Sequence, residues 1–407
     1  MLGAGLLALG AAAGAGGAFG VRALAERTGP APAAGDAGFG GDRLPFHGPH
    51  QAGVSDVPGA HAVYLALDLA PGTDREGVRT LLRLLSDDAA RLTAGVAPVA
   101  DQEPELARDP ARLTITFGFG PGLVERVDPA VRPAWLAPLP AFPIDRLEER
   151  WCDGDLLLAI GSDDPLALAH ARRMLLKDAR AFTVLRWTQE GFRNARGTGA
   201  DGRTQRNLFG QLDGTAQPSG ELDDLVWIGP QTPGAPAWLL GGTSFVLRRI
   251  RMDMEGWDVV DRPGREAAIG RRLDTGAPLT GAHEHDEPDF EARTRRGFTV
   301  IHPASHLRRA RSDEPRQRIL RRTHNYDVPV SPGAGGRGAA VSDSGLLFGS
   351  FQQDVTEQFL PIQERLAEAD LLNSWTVPVG SAVFAIPPGC GPGGFVGETL
   401  FGEPRSG

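Results

Sequence analysis

Cysteine is nearly absent from this chain of 407 residues: only Cys152 and Cys390 occur, and they are not part of any paired spacing. That excludes a thiolate zinc knot and a thioredoxin-like dithiol. The two thiols either pair as a disulfide in an oxidising compartment or stay as buried free thiols. A basic excess is missing as well. The 42 basic and 51 acidic residues give a net charge of −9 with no basic stripe, so nothing would neutralise a phosphate backbone and nucleic acid is excluded as a partner. Tyrosine and tryptophan are scarce, at two and seven. What is abundant is apolar sequence, at 41%, enough for a large core in two domains or one two-lobed unit. The 54 glycines and 33 prolines fall mostly between apolar stretches and at the two ends, as turn and tail residues do.

Residues 1–25 form an apolar Gly/Ala/Leu run, with Arg22 its single charged side chain, that closes on the small-x-small pattern Ala23-Leu-Ala25. This is the composition of the hydrophobic part of an export signal, with a membrane anchor as the other reading. The Gly-, Ala- and Pro-rich residues 26–44 read as a disordered linker.

Beyond the linker, residues 61–69 read as a strand and residues 74–92 as an amphipathic helix opened by Thr73-Asp74, with apolar residues at Val78, Leu81, Leu82, Leu84 and Leu85. Residues 113–119 and 155–160 predict two further strands, and residues 166–178 a second helix. The rhythm returns later, with strands at 243–252, 346–351 and 381–386 and a helix over 354–371. Residues 345–354 occupy the place that residues 113–122 hold in the first half. The expected fold class is therefore α+β, two duplicated ferredoxin-like halves with antiparallel sheets. The boundary falls near residue 215, giving an N-terminal domain over 45–215 and a C-terminal domain over 216–407.

Asp213-Gly214 alone is an ordinary turn dipeptide, because Gly accepts positive φ and Asp bonds its own backbone. Its setting is Asn207-Leu-Phe-Gly-Gln-Leu-Asp-Gly-Thr215, and that segment resembles the Gly-x-x-Asp-Gly signature of dye-decolourising peroxidases. The resemblance continues in order and spacing through residues 45–53, 249–257, 269–271 with 276–279, 304–309, and 318–322 with Asn325-Tyr326. It covers nearly all of residues 44–402 and looks closest to the exported branch that includes deferrochelatases.

The resemblance implies a barrel of the dimeric α+β type with one haem b per chain, held mainly by the C-terminal half. Without a Cys-x-x-Cys-His motif that haem would be non-covalent, held by packing and an axial ligand. His306 matches the family's axial ligand to the iron. His302 lies four positions earlier, a zinc-like spacing on a helix, but Pro303 stands between them. A proximal His usually donates its other ring N–H to a carboxylate, and Asp354 matches the family's partner, although an Asp there also reads as a helix N-cap. On the distal side, peroxide must lose a proton from one oxygen and regain it on the other. One positioned carboxylate does both, and Asp213 matches that shuttle. Arg321 matches the distal arginine that stabilises charge developing on the leaving oxygen. An unperturbed Asp titrates near 4, so an acidic activity optimum is expected.

Gly214, Thr215 and Ala216 are expected at the haem edge, where Gly allows close approach, and Arg311 at a propionate. This chain departs from the family in having residues 310–316, Ala-Arg-Ser-Asp-Glu-Pro-Arg, where Asn-Pro-Arg is usual, and Thr323 where Gly is common. His283-Glu-His-Asp-Glu287 reads as a solvated acidic loop, or as a weak site for a divalent cation. Trp257 and Tyr326 are readable as relays for electrons from bulky dyes or as buried core.

The implied partners are hydrogen peroxide, an organic reductant and components of iron uptake, and a homo-oligomer is left open. Iron release from haem, or haem binding without turnover, are the competing activities. Exported relatives carry a twin-arginine signal, and no Arg-Arg precedes the apolar run. An extracellular, periplasmic or cell-envelope location is expected, with the arginine pair upstream of this sequence or export by another route.

Overall fold

Strand β1 (His61–Leu69) shows how this sequence folds. Its odd-numbered Val63, Leu65 and Leu67 join one apolar cluster while Ala62, Tyr64 and Ala66 join another, as the period of two in a strand requires. The first cluster contains Leu81, Leu82 and Leu85 of helix α1 (Arg75–Thr93) and Met174 and Leu175 of helix α2 (Pro165–Ala179). The second contains Phe245, Leu247 and Phe384 from the far half of the chain. One face of β1 thus carries helices and the other fills the inside of a barrel. Asp74 caps α1 by accepting the amide of Gly77 at 2.9 Å, a contact worth about 0.5–2 kcal/mol.

The computed structural model describes residues 38–199, 202–218, 220, 222–329 and 342–406. The other strands are β2 (Thr114–Phe119), β3 (Leu156–Ser162), β4 (Thr183–Phe192), β5 (Thr243–Met252), β6 (Leu320–Pro329), β7 (Ser342–Gln352) and β8 (Thr376–Ile386). They close into a barrel in the order β1-β3-β2-β8-β5-β7-β6-β4, with every pairing antiparallel. Unrolled, this is β4-β1-β3-β2 followed by β8-β5-β7-β6, the same ferredoxin-like order twice. The duplicated α+β fold expected from the sequence is present. The two sheets join through single rungs, Phe119 with Ala385 and Phe192 with Asn325.

Two expectations are corrected here. The segment at 345–354 is equivalent to β3, not to β2, because β7 lies between β5 and β6 as β3 lies between β1 and β2. The linker also ends before residue 44: Gly40 O and Asp42 O accept the amides of Ala111 and Arg112, both at 2.8 Å. The signal-like run at 1–25 lies outside the described residues.

In the second half the helices are short. Helix α3 (Arg262–Ile269) has 8 residues and α4 (His306–Ala310) only 5, and just α5 (Leu360–Ala369), between β7 and β8, takes the place that α2 holds between β3 and β4. These pieces do not close down on the outer face of their sheet as α1 and α2 do on theirs. The space left over is the site.

Candidate active site

A cavity of about 800 Å³ lies against the outer face of the second sheet. Its apolar wall comes from Ile250 and Met252 of β5, Leu346 and Phe348 of β7, and Ile362 and Leu366 of α5. These are the strand positions that point away from the barrel interior, where Phe245, Leu247 and Leu347 are packed. Polar groups enter from three directions: His306 at the start of α4, Arg321 near the start of β6, and the loop carrying Asp213, Gly214, Thr215 and Ala216.

His306 Nδ1 is 2.6 Å from Oδ2 of Asp370. The Asp370 side chain is only 4% exposed, whereas that of His306 retains 36%, and both residues line the cavity. Burial pulls the His306 pKa down, but the charge and hydrogen bond of Asp370 outweigh it, so the net shift is upward. With Nδ1 taken, Nε2 has no protein partner among the described residues and is available as a ligand. Asp370 is in turn fixed by the Leu372 amide, which donates to Oδ1 at 2.9 Å.

Asp354, expected behind His306, is elsewhere. Its carboxylate accepts the amides of Thr356 and Glu357 at 2.7 and 3.1 Å and caps the turn that leads into α5. Both bonds go to Oδ1, Asp354 does not line the cavity, and the His306 Nδ1 is held by Asp370, so Asp354 serves as a helix cap and not as the partner of His306. The signal for Asp370 was present in the sequence. Ile362, Leu366 and Asp370 are spaced by four, so the apolar stripe of α5, carried one turn further, lands on a carboxylate facing the same cavity.

Across the cavity lining, Arg321 Nη1 donates to Asp213 Oδ1 at 3.2 Å, with the side chains 22% and 9% exposed. Gln217 fixes the backbone of Arg321, accepting its amide at 2.9 Å and donating to its carbonyl at 3.1 Å. Gly214 has φ +138, in the region that favours glycine, which lets the chain turn sharply after Asp213. Behind this pair Arg193 donates to Gln205 Oε1 at 2.7 Å, and Gln205 donates to Thr323 Oγ1 at 2.9 Å. Burial lowers the Arg193 pKa against the opposing charge of Asp213. Thr323, where glycine was expected, is thus part of the support under the Asp213 loop.

Arg311 lines the cavity and is paired with Glu287. The rest of the His283–Glu287 loop is scaffold: Asp286 Oδ2 accepts the amides of Ala282 and His283 at 2.7 and 2.9 Å. No group of three or more His, Cys, Asp or Glu among the described residues could hold a metal ion. His302 is exposed ahead of α4, its Nδ1 accepting the Ala304 amide at 3.1 Å, and does not face the cavity with His306. Trp257 and Tyr326 are both buried. Trp257 stacks on Phe209 with centroids 4.4 Å apart, and Arg249 lies 3.7 Å over the Tyr326 ring. Cys152 and Cys390 are free and buried, and burial raises both thiol pKa values, Cys390 to about 11.

Residues 51–193 match the family model Dyp-type peroxidase, N-terminal, and residues 204–391 match Dyp-type peroxidase, C-terminal. The chain belongs to the dye-decolourising peroxidase family. Among its relatives is the dye-decolorizing peroxidase of Thermobifida fusca, 38% identical over 83% of this chain and 80% of that protein. The deferrochelatase of Escherichia coli is 32% identical over 90% of this chain and 89% of its own. The solved DyP-type peroxidase of Cellulomonas bogoriensis is 50% identical, with a TM-score of 0.85 over 90% of this chain and 99% of that one.

As a member of this family the protein is a haem peroxidase, and the cavity fits the cofactor. Its volume falls within the roughly 300–1,000 Å³ range of small-molecule and cofactor sites. It offers an apolar lining, one anchored imidazole with a free nitrogen, and cationic side chains at the edge. Among the described residues no helix is long and apolar enough to cross a membrane.

Proposed function

We propose that the chain binds one non-covalent haem b through His306 and reduces hydrogen peroxide with Asp213 as proton shuttle and Arg321 as charge stabiliser, taking electrons from bulky organic reductants. The observation that carries this reading is the Asp213–Arg321 pair and the His306–Asp370 pair lining one cavity. Haem, when bound, supplies two electrons to the O–O bond and recovers them from the reductant. The Asp213 carboxylate accepts a proton from one peroxide oxygen and returns it to the other, so that one oxygen leaves as water. The Arg321 guanidinium donates hydrogen bonds to the oxygen on which negative charge builds. Asp370 holds the His306 ring with its Nδ1 proton outward and Nε2 toward the cavity.

Stopped-flow mixing with peroxide tests the assignment. Asp213→Asn should lower the second-order rate by about 10²–10⁴-fold, the usual contribution of a positioned acid–base group, and Arg321→Leu should also lower it while haem stays bound. Unchanged rates in both variants would instead favour a haem-binding protein without turnover. The similarity to the Escherichia coli deferrochelatase supports a second reading, release of iron from haem. Free protoporphyrin after incubation with haem is its measure. Residues 1–25 support export across a membrane, and N-terminal sequencing of the mature protein is the check.

A further inference from the structure

The His283–Glu287 loop, which assembles no metal site, lies instead against the loop that carries Asp213. Glu284 Oε1 accepts hydrogen bonds from two hydroxyls, Thr204 Oγ1 at 2.5 Å and Thr215 Oγ1 at 2.9 Å. The two threonines stand on opposite sides of Asp213 in the chain. One carboxylate oxygen therefore ties the incoming and outgoing arms of the loop together. The backbone beneath Glu284 is itself anchored. Its carbonyl accepts Arg271 Nη1 at 2.8 Å, the same nitrogen reaches Gly276 O at 2.7 Å, and Asp286 closes the adjoining turn.

The loop needs such a tie. Gly210 and Gly214 flank Asp213 at φ +78 and +138, and glycines of this kind leave a segment conformationally free unless something outside it decides the geometry. Within the loop Asp213 N donates to Gln205 O at 2.8 Å, which fixes the backbone near Asp213. Gln205 and Gln217 bind the two ends of the loop to β6 through Thr323 and the Arg321 backbone, so the 3.2 Å contact of Asp213 with Arg321 depends on those ends keeping their spacing.

We infer that Glu284 is a positioning residue for the peroxide step, clasping Thr204 and Thr215 so that the Asp213 carboxylate stays in register with Arg321. This rests on the reading of Asp213 as proton shuttle. Glu284 touches neither peroxide nor haem in this role. A carboxylate is suited to it because charge-assisted bonds to hydroxyls are shorter and stronger than neutral ones.

The test uses the haem-loaded protein and four variants: Glu284→Ala, Glu284→Gln, Thr204→Val with Thr215→Val, and Asp213→Asn. Glu284→Ala should slow the reaction with peroxide by about 10- to 100-fold, the scale on which a displacement of about 1 Å acts on a reacting group. The second-order rate at which the organic reductant reacts with the peroxide-treated protein, measured separately, should stay within about twofold, because only the acid–base geometry of the peroxide step has moved. Glu284→Gln keeps an oxygen that accepts both hydroxyls and should restore the rate to within about threefold. The double threonine variant should reproduce Glu284→Ala, and decides the matter alone if Glu284→Ala fails to fold. On the haem-free protein, amide exchange over residues 204–217 should accelerate in Glu284→Ala and not in Glu284→Gln.

A wild-type peroxide rate in Glu284→Ala overturns the inference, and so does equal damage in Glu284→Gln, which would point to charge rather than to the clasp. Asp213→Asn separates the two levels. If it reacts at the wild-type rate, the proton-shuttle reading itself fails. If it is slow while Glu284→Ala is normal, only the clasp fails.

Discussion

Asp370→Asn isolates the electronic contribution of the carboxylate behind His306. The 2.6 Å contact to Nδ1 is made by a side chain that is 4% exposed, so water does not replace it when the charge is removed. Asparagine is nearly isosteric, and its amide oxygen still accepts the Nδ1 proton, so ring orientation survives. What disappears is the negative charge that makes the imidazole a stronger donor to ferric iron. Charge-assisted bonds exceed neutral ones by on the order of 1–1.5 kcal/mol. Since about 1.4 kcal/mol corresponds to 59 mV for a one-electron couple, the ferric/ferrous potential should rise by about 40–60 mV. Spectroelectrochemical titration of the haem-loaded protein reads this directly. Asp354→Asn is the control: asparagine caps a helix about as well as aspartate, so stability should hardly change, and removal of this charge should leave the potential within about 10 mV, well under 59 mV. An unmoved potential in Asp370→Asn, or a rise in Asp354→Asn, would refute the assignment.

Two further outcomes are expected. Asp88 of α1 is 3% exposed and faces Asp178 of α2; burial first, then the hydrogen bond and charge of Asp178, push its pKa up to about 8. Between the ordinary carboxylate range and pH 8 the folded state holds a proton that the unfolded state has lost, so stability falls as pH rises through that window, by at most about 1.4 kcal/mol per pH unit. Asp88→Asn should flatten the decline, its gain in Tm over wild type growing from pH 5 to pH 8, and a gain independent of pH would contradict the shared proton. Gln217→Ala removes both bonds to the Arg321 backbone; it should cost about 1–3 kcal/mol in denaturant unfolding and also slow the peroxide reaction, and an unaltered rate would mean that Arg321 is held without it.

The sequence made β1, α1 and β5 readable because their apolar periodicity is clean, and β5 runs over the same residues, 243–252, in both readings. Strand β6 was not. Leu-Arg-Arg-Thr-His-Asn-Tyr is too polar to read as a strand by pattern, and it forms because ten rungs from Leu320–Phe351 to Pro329–Ser342 pair it to β7, a tertiary effect. The motif residues Asp213, His306 and Arg321 were placed by resemblance, and the fold brings them to one cavity. Asp370 was missed since family spacing pointed to Asp354, and local chemistry at a helix start had already claimed that carboxylate. The role of Glu284 could not be read at all, because its two partners are about 70 and 80 positions away in the chain, and sequence pattern carries no information on a contact of that range.

The unequal filling of the two sheets has a thermodynamic consequence. The first half supplies its own closure, with α1 and α2 seated on β1, β2 and β3 through a continuous apolar cluster. The second half leaves a cavity of about 800 Å³, so the groups lining it complete their contacts only when a ligand is present. A ligand that binds the folded state adds to its stability in proportion to the logarithm of its saturation, and here that addition falls on one half of the barrel. The cofactor is then as much a folding partner as a reagent. Without that addition the eight-stranded barrel is still closed, and the loops and short helices between β5 and β6 are the segments expected to open first to proteases.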